Sequence, residues 1–196
     1  MNLVILSTLL LLAPAIVPET ARFSIYQDGK KIGSEEFTIT ARRGGYVAEG
    51  RTELAGDPMP ITSRLELDDQ LNPTSYEYRH GNGTIRVKVS KPTSEYETTT
   101  DGKESTTDFR FPDGGFIVDN NFFHHYLLLL YKVGSGGKTL PIFVPQDMRL
   151  GEATVQPKGS GVYQLKMGDV TLEATTDAGG RLIRLSVPDA KVVVER

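Results

Sequence analysis

The stretch Phe23-Ser24-Ile25-Tyr26-Gln27-Asp28-Gly29-Lys30-Lys31-Ile32-Gly33-Ser34-Glu35-Glu36-Phe37-Thr38-Ile39 decides the fold class. Phe23 and Ile25 share one face, Asp28-Gly29 supplies two residues that tolerate positive φ, and Ile32, Phe37 and Ile39 carry the apolar pattern onward. Alternation on both sides of a two-residue Asp-Gly turn predicts an antiparallel hairpin. The Arg42 to Gly45 turn then leads into Tyr46 and Val47, so the hairpin continues as a meander.

Outward from that stretch the same rhythm repeats. Strands are predicted at 61–67, 74–79, 84–90, 95–100, 103–111, 140–144, 150–156, 162–167, 170–176, 182–187 and 192–195. A spacing of about ten residues is the cadence of an antiparallel sandwich or barrel. The 20 Gly and 11 Pro are spread along the chain as punctuation, which a helical bundle would have excluded from its interiors. With 196 residues, 38% hydrophobic and 24% charged, the composition is that of a globular chain of one domain. The expected architecture is mainly β: an antiparallel meander forming a curled sheet or open barrel with one apolar helix. No fixed long period argues for a propeller or solenoid.

One segment breaks the cadence. Asp119-Asn120-Asn121 offers capping side chains, Phe122, Phe123, Tyr126, Leu127, Leu129 and Leu130 recur at helical spacing, and Gly134 is a stop. Leu128 and Tyr131 make this helix, predicted over 119–131, apolar on nearly every face, so it should be buried or should cap something apolar. The hairpin from Glu95 to Asp108 is the opposite case. Thr98, Thr99 and Thr100 oppose Ser105, Thr106 and Thr107 across Asp101-Gly102, polar on both faces, which predicts a protruding edge hairpin.

At the N-terminus, Leu3 to Val17 is an uncharged run, too short for the roughly 20 residues of a bilayer span. Ala13-Pro14-Ala15 follows with small residues at signal-peptidase spacing. Residues 1–15 are therefore read as a signal peptide, with 16–196 as a single exported domain beginning at Ile16 and working in the periplasm or outside the cell. The first two residues, Met1-Asn2, carry no Lys or Arg, which is unusual for such a leader and leaves a misplaced start or an uncleaved anchor as alternatives. No integral membrane span is expected after cleavage. The chain has no cysteine, which excludes disulfides, thiolate chemistry and a lipidated Cys after the leader. A net charge of -3 offers no footprint for nucleic acid or an anionic membrane.

The chemical candidates weaken on inspection. Gly134-Ser135-Gly136-Gly137-Lys138-Thr139 ends like a phosphate-binding loop, but Lys132 stands where its first Gly belongs and a helix enters where a strand should. His124 and His125 are neighbours pointing about 100° apart, a poor arrangement for one metal ion, and His80 is remote in sequence. Asp119 could orient one of these imidazoles, yet no Ser sits in a nucleophile-elbow context. The acid pairs Glu35-Glu36 and Asp68-Asp69 point to opposite faces of a strand or lie in a turn, so neither supplies two carboxylates across a cleft. Asn82-Gly83-Thr84 matches a glycosylation sequon and reads equally as a hairpin turn. No catalytic, metal or cofactor site is assigned.

Three blocks carry a family resemblance: Phe23-Ser24-Ile25-Tyr26 with Gly29 to Glu35, Asp119 followed by the Tyr126-Leu127 helix, and Gly180-Arg181-Leu182 through Val187-Pro188. They resemble an exported bacterial family, the domain of unknown function 3108, or a close relative of it. The resemblance implies an extracytoplasmic antiparallel β domain similar in outline to the open barrels of lipoprotein carriers, with no catalytic residues to transfer. The expected function is non-enzymatic: an interior covered by the helix that takes an acyl chain or lipid on Phe122, Phe123, Tyr126, Leu127 and Leu130. Any headgroup contact would come from Lys132 or Lys138. The alternative is a structural or assembly factor contacting an envelope protein through strand edges.

Overall fold

A computed structural model describes residues 16–196, so the expected leader over 1–15 lies outside the described residues. Ile16, the residue expected to begin the mature chain, is buried in the core. The strands are β1 (Glu19–Gln27), β2 (Lys30–Arg42), β3 (Gly45–Leu54), β4 (Ile61–Asp68), β5 (Pro73–His80), β6 (Gly83–Lys88), β7 (Ser94–Thr100), β8 (Lys103–Phe109), β9 (Phe116–Ile117), β10 (Lys138–Val144), β11 (Arg149–Gly159), β12 (Val162–Met167), β13 (Val170–Thr176), β14 (Leu182–Val187) and β15 (Val192–Glu195). A single α-helix, α1 (His124–Val133), interrupts them. All fifteen strands join one sheet in the order β8-β7-β6-β5-β4-β3-β2-β1-β15-β14-β13-β12-β11-β10-β9.

The meander follows from local chemistry. Asp28 and Gly29 both take positive φ, 50° and 74°, the geometry that a two-residue turn needs to match the twist of its strands. Phe23 and Ile25 face the core from β1, and Phe37 and Ile39 face it from β2, as the alternation predicts. All pairings are antiparallel except that of β9 with β10. Sequence reading missed β9, since two residues are too few to show a period.

The sheet is mostly antiparallel, curled and not closed. Strands near its opposite ends touch through side chains: Phe109 of β8 stacks on Phe143 of β10 with ring centroids 4.8 Å apart, and the Tyr96 hydroxyl of β7 donates to the Pro145 carbonyl after β10 at 2.8 Å. The two end strands, β8 and β9, do not pair with each other. Aromatic packing therefore brings the ends together where a barrel would use a ladder. The Thr-rich hairpin is the exposed end of the sheet and turns at Asp101-Gly102, as expected, with Thr98 opposite Ser105, Thr99 opposite Glu104 and Thr100 opposite Lys103.

Helix α1 lies within the curl, with every residue from His124 to Leu130 buried. It starts five residues later than the expected 119–131 helix. Asp119 instead closes a turn, its carboxylate accepting the Asn121 amide at 2.7 Å, and Phe123 at the helix start has no side-chain cap of its own. The Gly134 amide donates to the Leu130 carbonyl at 2.9 Å, so the stop stands where it was expected. Register places the β1–β2, β3–β4, β5–β6, β10–β11, β12–β13 and β14–β15 turns at the same end of the curl as the start of α1. This is the mouth end. The C-terminus of α1 is at the other, where the Lys132 ammonium donates to the Leu71 carbonyl at 3.0 Å. No helix among the described residues is long and apolar enough to cross a membrane.

Candidate functional site

A cavity of about 690 Å³ opens at the mouth end, within the range of small-molecule sites. Its wall is drawn from both arms of the curl. Ile25 of β1, Ile142 and Val144 of β10, Leu172 of β13 and Val118 before the helix are buried aliphatics on it, and Leu54 of β3 is half-buried. Thr52, Asn120 and Asn121 add uncharged polar groups near the helix start, and Arg149, Glu152 and Asp169 are exposed at the rim. A few polar groups converging on an otherwise apolar space is the usual composition of a small-molecule site.

Of the five residues expected to contact a ligand, the structure brings Phe123 and Tyr126 to this cavity. Phe122, Leu127 and Leu130 are buried away from it, in the packing between helix and sheet. The first turn of α1 thus forms part of the wall, and its remainder is core. Neither Lys132 nor Lys138 lines the cavity, because both follow the helix toward the opposite end; Arg149 is the cation at the rim. Ile142 and Leu172 lie in strands expected from the sequence, over 140–144 and 170–176, but nothing in the pattern marked them as cavity wall.

Beneath the cavity floor lies a polar anchor that sequence reading did not assemble. Glu35 of β2 is fully buried, and its Oε2 accepts the Phe123 amide at 2.7 Å while Oε1 contacts His124 Nδ1. An acid 88 residues away in sequence thus caps the helix that lacks a local cap. His124 stacks on Phe37 at 5.4 Å, and the ring of His125 meets Tyr76 edge-on at 5.9 Å. Asp119 accepts from the Tyr76 hydroxyl and the Gln146 amide, so it orients neither imidazole. His80 is elsewhere, bonded to Asp57 at 2.8 Å. Gly50 of β3 makes room for the anchor: a Cβ there would come within 2.6 Å of His124 Cε1 and 2.7 Å of the Phe122 ring. Among the described residues, no three His, Asp or Glu side chains cluster as metal ligands.

Burial sets the protonation of this anchor. It pushes the Glu35 carboxyl up to about 8, outweighing the two helix amides that favour the anion, and holds His124 down at about 3. Near neutral pH both groups are therefore uncharged: Glu35 keeps its proton and donates it to His124 Nδ1, which leaves the imidazole's single proton on Nε2. A raised acid contributes stability in full below its unfolded value of about 4.5, and that contribution is lost as pH rises through about 8. A depressed His contributes in full above 6.5 and loses its contribution as pH falls toward about 3. The two slopes cancel between 4.5 and 6.5 and leave a decline on each side. Burial also shifts Asp119 up and His125 down, the same directions as Glu35 and His124. In urea midpoints measured against pH, the loss from pH 6.5 to 8 is expected to be smaller in Glu35→Gln than in wild type; equal slopes would remove Glu35 as its source.

No family model matches this sequence, and no curated protein matches it. Among solved structures, the chain is similar to the crystal structure of a DUF1089 family protein from Pseudomonas aeruginosa, with a TM-score of 0.50 and 11% sequence identity over 80% of this chain and 90% of that one. At that identity the likeness shows the fold alone.

Proposed function

We propose that this is an exported, non-enzymatic β domain that carries or senses an acyl chain or lipid, held in the cavity at the mouth of the curl. The observation that carries the reading is the cavity itself, about 690 Å³ and walled by Ile25, Ile142, Val144 and Leu172. The leader expected over residues 1–15 supports a periplasmic or secreted setting. A second reading, an assembly factor that contacts an envelope protein, draws on the unpaired edge of β8. It ranks below the first because it leaves the cavity without a use.

Fluorescent fatty acids of increasing length test the first reading. Each buried methylene contributes about 0.8 kcal/mol, so affinity is expected to rise about fourfold per methylene until the wall is covered. Leu54→Trp, which fills the cavity from a half-buried position, and Phe123→Asp, which places a charge on its wall, are each expected to weaken binding at least about tenfold. Absence of saturable binding, or affinity indifferent to chain length and to both substitutions, would remove the carrier reading and leave the envelope-contact role.

A further inference from the structure

Among the described residues six large apolar side chains are exposed: Val17, Met59, Met148, Leu150, Val170 and Ile183. Val17 and Ile183 belong to the end of the curl that holds the helix C-terminus, since Val17 precedes the β1 start and Ile183 accepts the Arg196 amide after β15. The other four lie on or beside mouth-end turns and are between 38% and 52% exposed. Met59 is in the β3–β4 turn, Met148 ends the β10–β11 turn with Leu150 just after it in β11, and Val170 follows the β12–β13 turn. Leu150 and Val170 also line the cavity. Single exposed apolar residues are ordinary on a soluble protein, but here Leu150 and Val170 carry the cavity wall out into solvent, and Met59 and Met148 add two more apolar side chains on connections at the same end.

Charges on the same turns come in both signs. Lys191 pairs with Asp28 at 3.0 Å and Arg149 with Asp147 at 3.6 Å, and Lys30, Lys31, Glu152 and Asp169 stand on the neighbouring strand ends. A rim of interleaved cations and anions complements headgroups that carry phosphate and ammonium together, while a chain of net charge -3 has no attraction to an anionic surface. The aliphatic tips between these charges match the apolar layer just beneath such headgroups.

We infer that the mouth end of the curl docks on a zwitterionic lipid surface, with Met59, Met148, Leu150 and Val170 inserted, so that the cavity opens onto the hydrocarbon phase from which it takes an acyl chain. This inference rests on the acyl-chain reading of the cavity. An acyl chain crossing water would expose its whole length, whereas a mouth sealed on the bilayer offers an apolar path from lipid to wall.

Flotation with phosphatidylcholine vesicles tests it. Wild type is expected to float at low and at high salt, because insertion and not net charge drives the contact. The double variant Leu150→Asp/Val170→Asp should lose at least about tenfold in partitioning, whereas Ile183→Asp, at the other end, should stay within about twofold. No flotation of wild type, equal losses in both variants, or binding confined to anionic vesicles and abolished by salt would each overturn the docking surface. So would a concentration-dependent dimer, seen without vesicles, that the double variant dissolves. A soluble fluorescent fatty acid separates this from the cavity reading. If the probe binds and vesicles do not, docking falls and the cavity reading stands; if vesicles bind and the probe does not, the reverse holds.

Discussion

Glu35→Ala is expected to lower the free energy of unfolding by about 3–5 kcal/mol, because each buried polar group left without a partner costs about 1–3 kcal/mol. Three groups lose their partner at once: the Phe123 amide, the His124 amide and His124 Nδ1. Water cannot replace the carboxyl, since Glu35 and His124 are both fully inaccessible. Glu35→Gln keeps an acceptor for the amides and a donor for the imidazole, and should recover most of the loss near neutral pH. Guanidinium midpoints of the two variants decide the matter. A loss below about 1 kcal/mol in Glu35→Ala would mean that the start of α1 holds its place without this acid.

Leu127→Ala is expected to cost about 2–5 kcal/mol, because Leu127 is fully buried between helix and sheet and its truncation leaves a void. Thr99→Ala, in the polar hairpin at the sheet edge, should stay within about 0.5 kcal/mol. Denaturant midpoints of both variants test the division between core and periphery. A small loss for Leu127→Ala would identify α1 as a loosely held cover over the cavity.

The strands were legible because each carries its own alternation and turn residues, as Phe23 and Ile25 with Asp28-Gly29 show. Glu35 was legible too, had the period been followed: Phe37 and Ile39 face inward, and Glu35 lies on their face two residues earlier. Treating Glu35-Glu36 as a pair hid it. The helix start was not legible, since its cap comes from another strand and Asp119 is spent on a turn. Gly50 carries no sign in the sequence that a histidine ring fills the space beside it. The cavity depends on how tightly the sheet curls, and that is set by long-range contacts such as Phe109 on Phe143 and Tyr96 on Pro145. No local pattern encodes that curvature, so Phe123 and Tyr126 could be named as candidates while Ile142 and Leu172 could not.

An acyl chain lying in the mouth cavity, as proposed, would be within reach of a reactive group on its own methylenes. Photo-crosslinking with a diazirine-bearing fatty acid, mapped by peptide mass spectrometry, tests it most directly. Saturable adducts are expected on Leu54, Tyr126, Ile142 and Leu172, competed by unlabelled fatty acid and lost in Leu54→Trp. Adducts confined to the outer face of β4 to β7, or none that free fatty acid displaces, would contradict it.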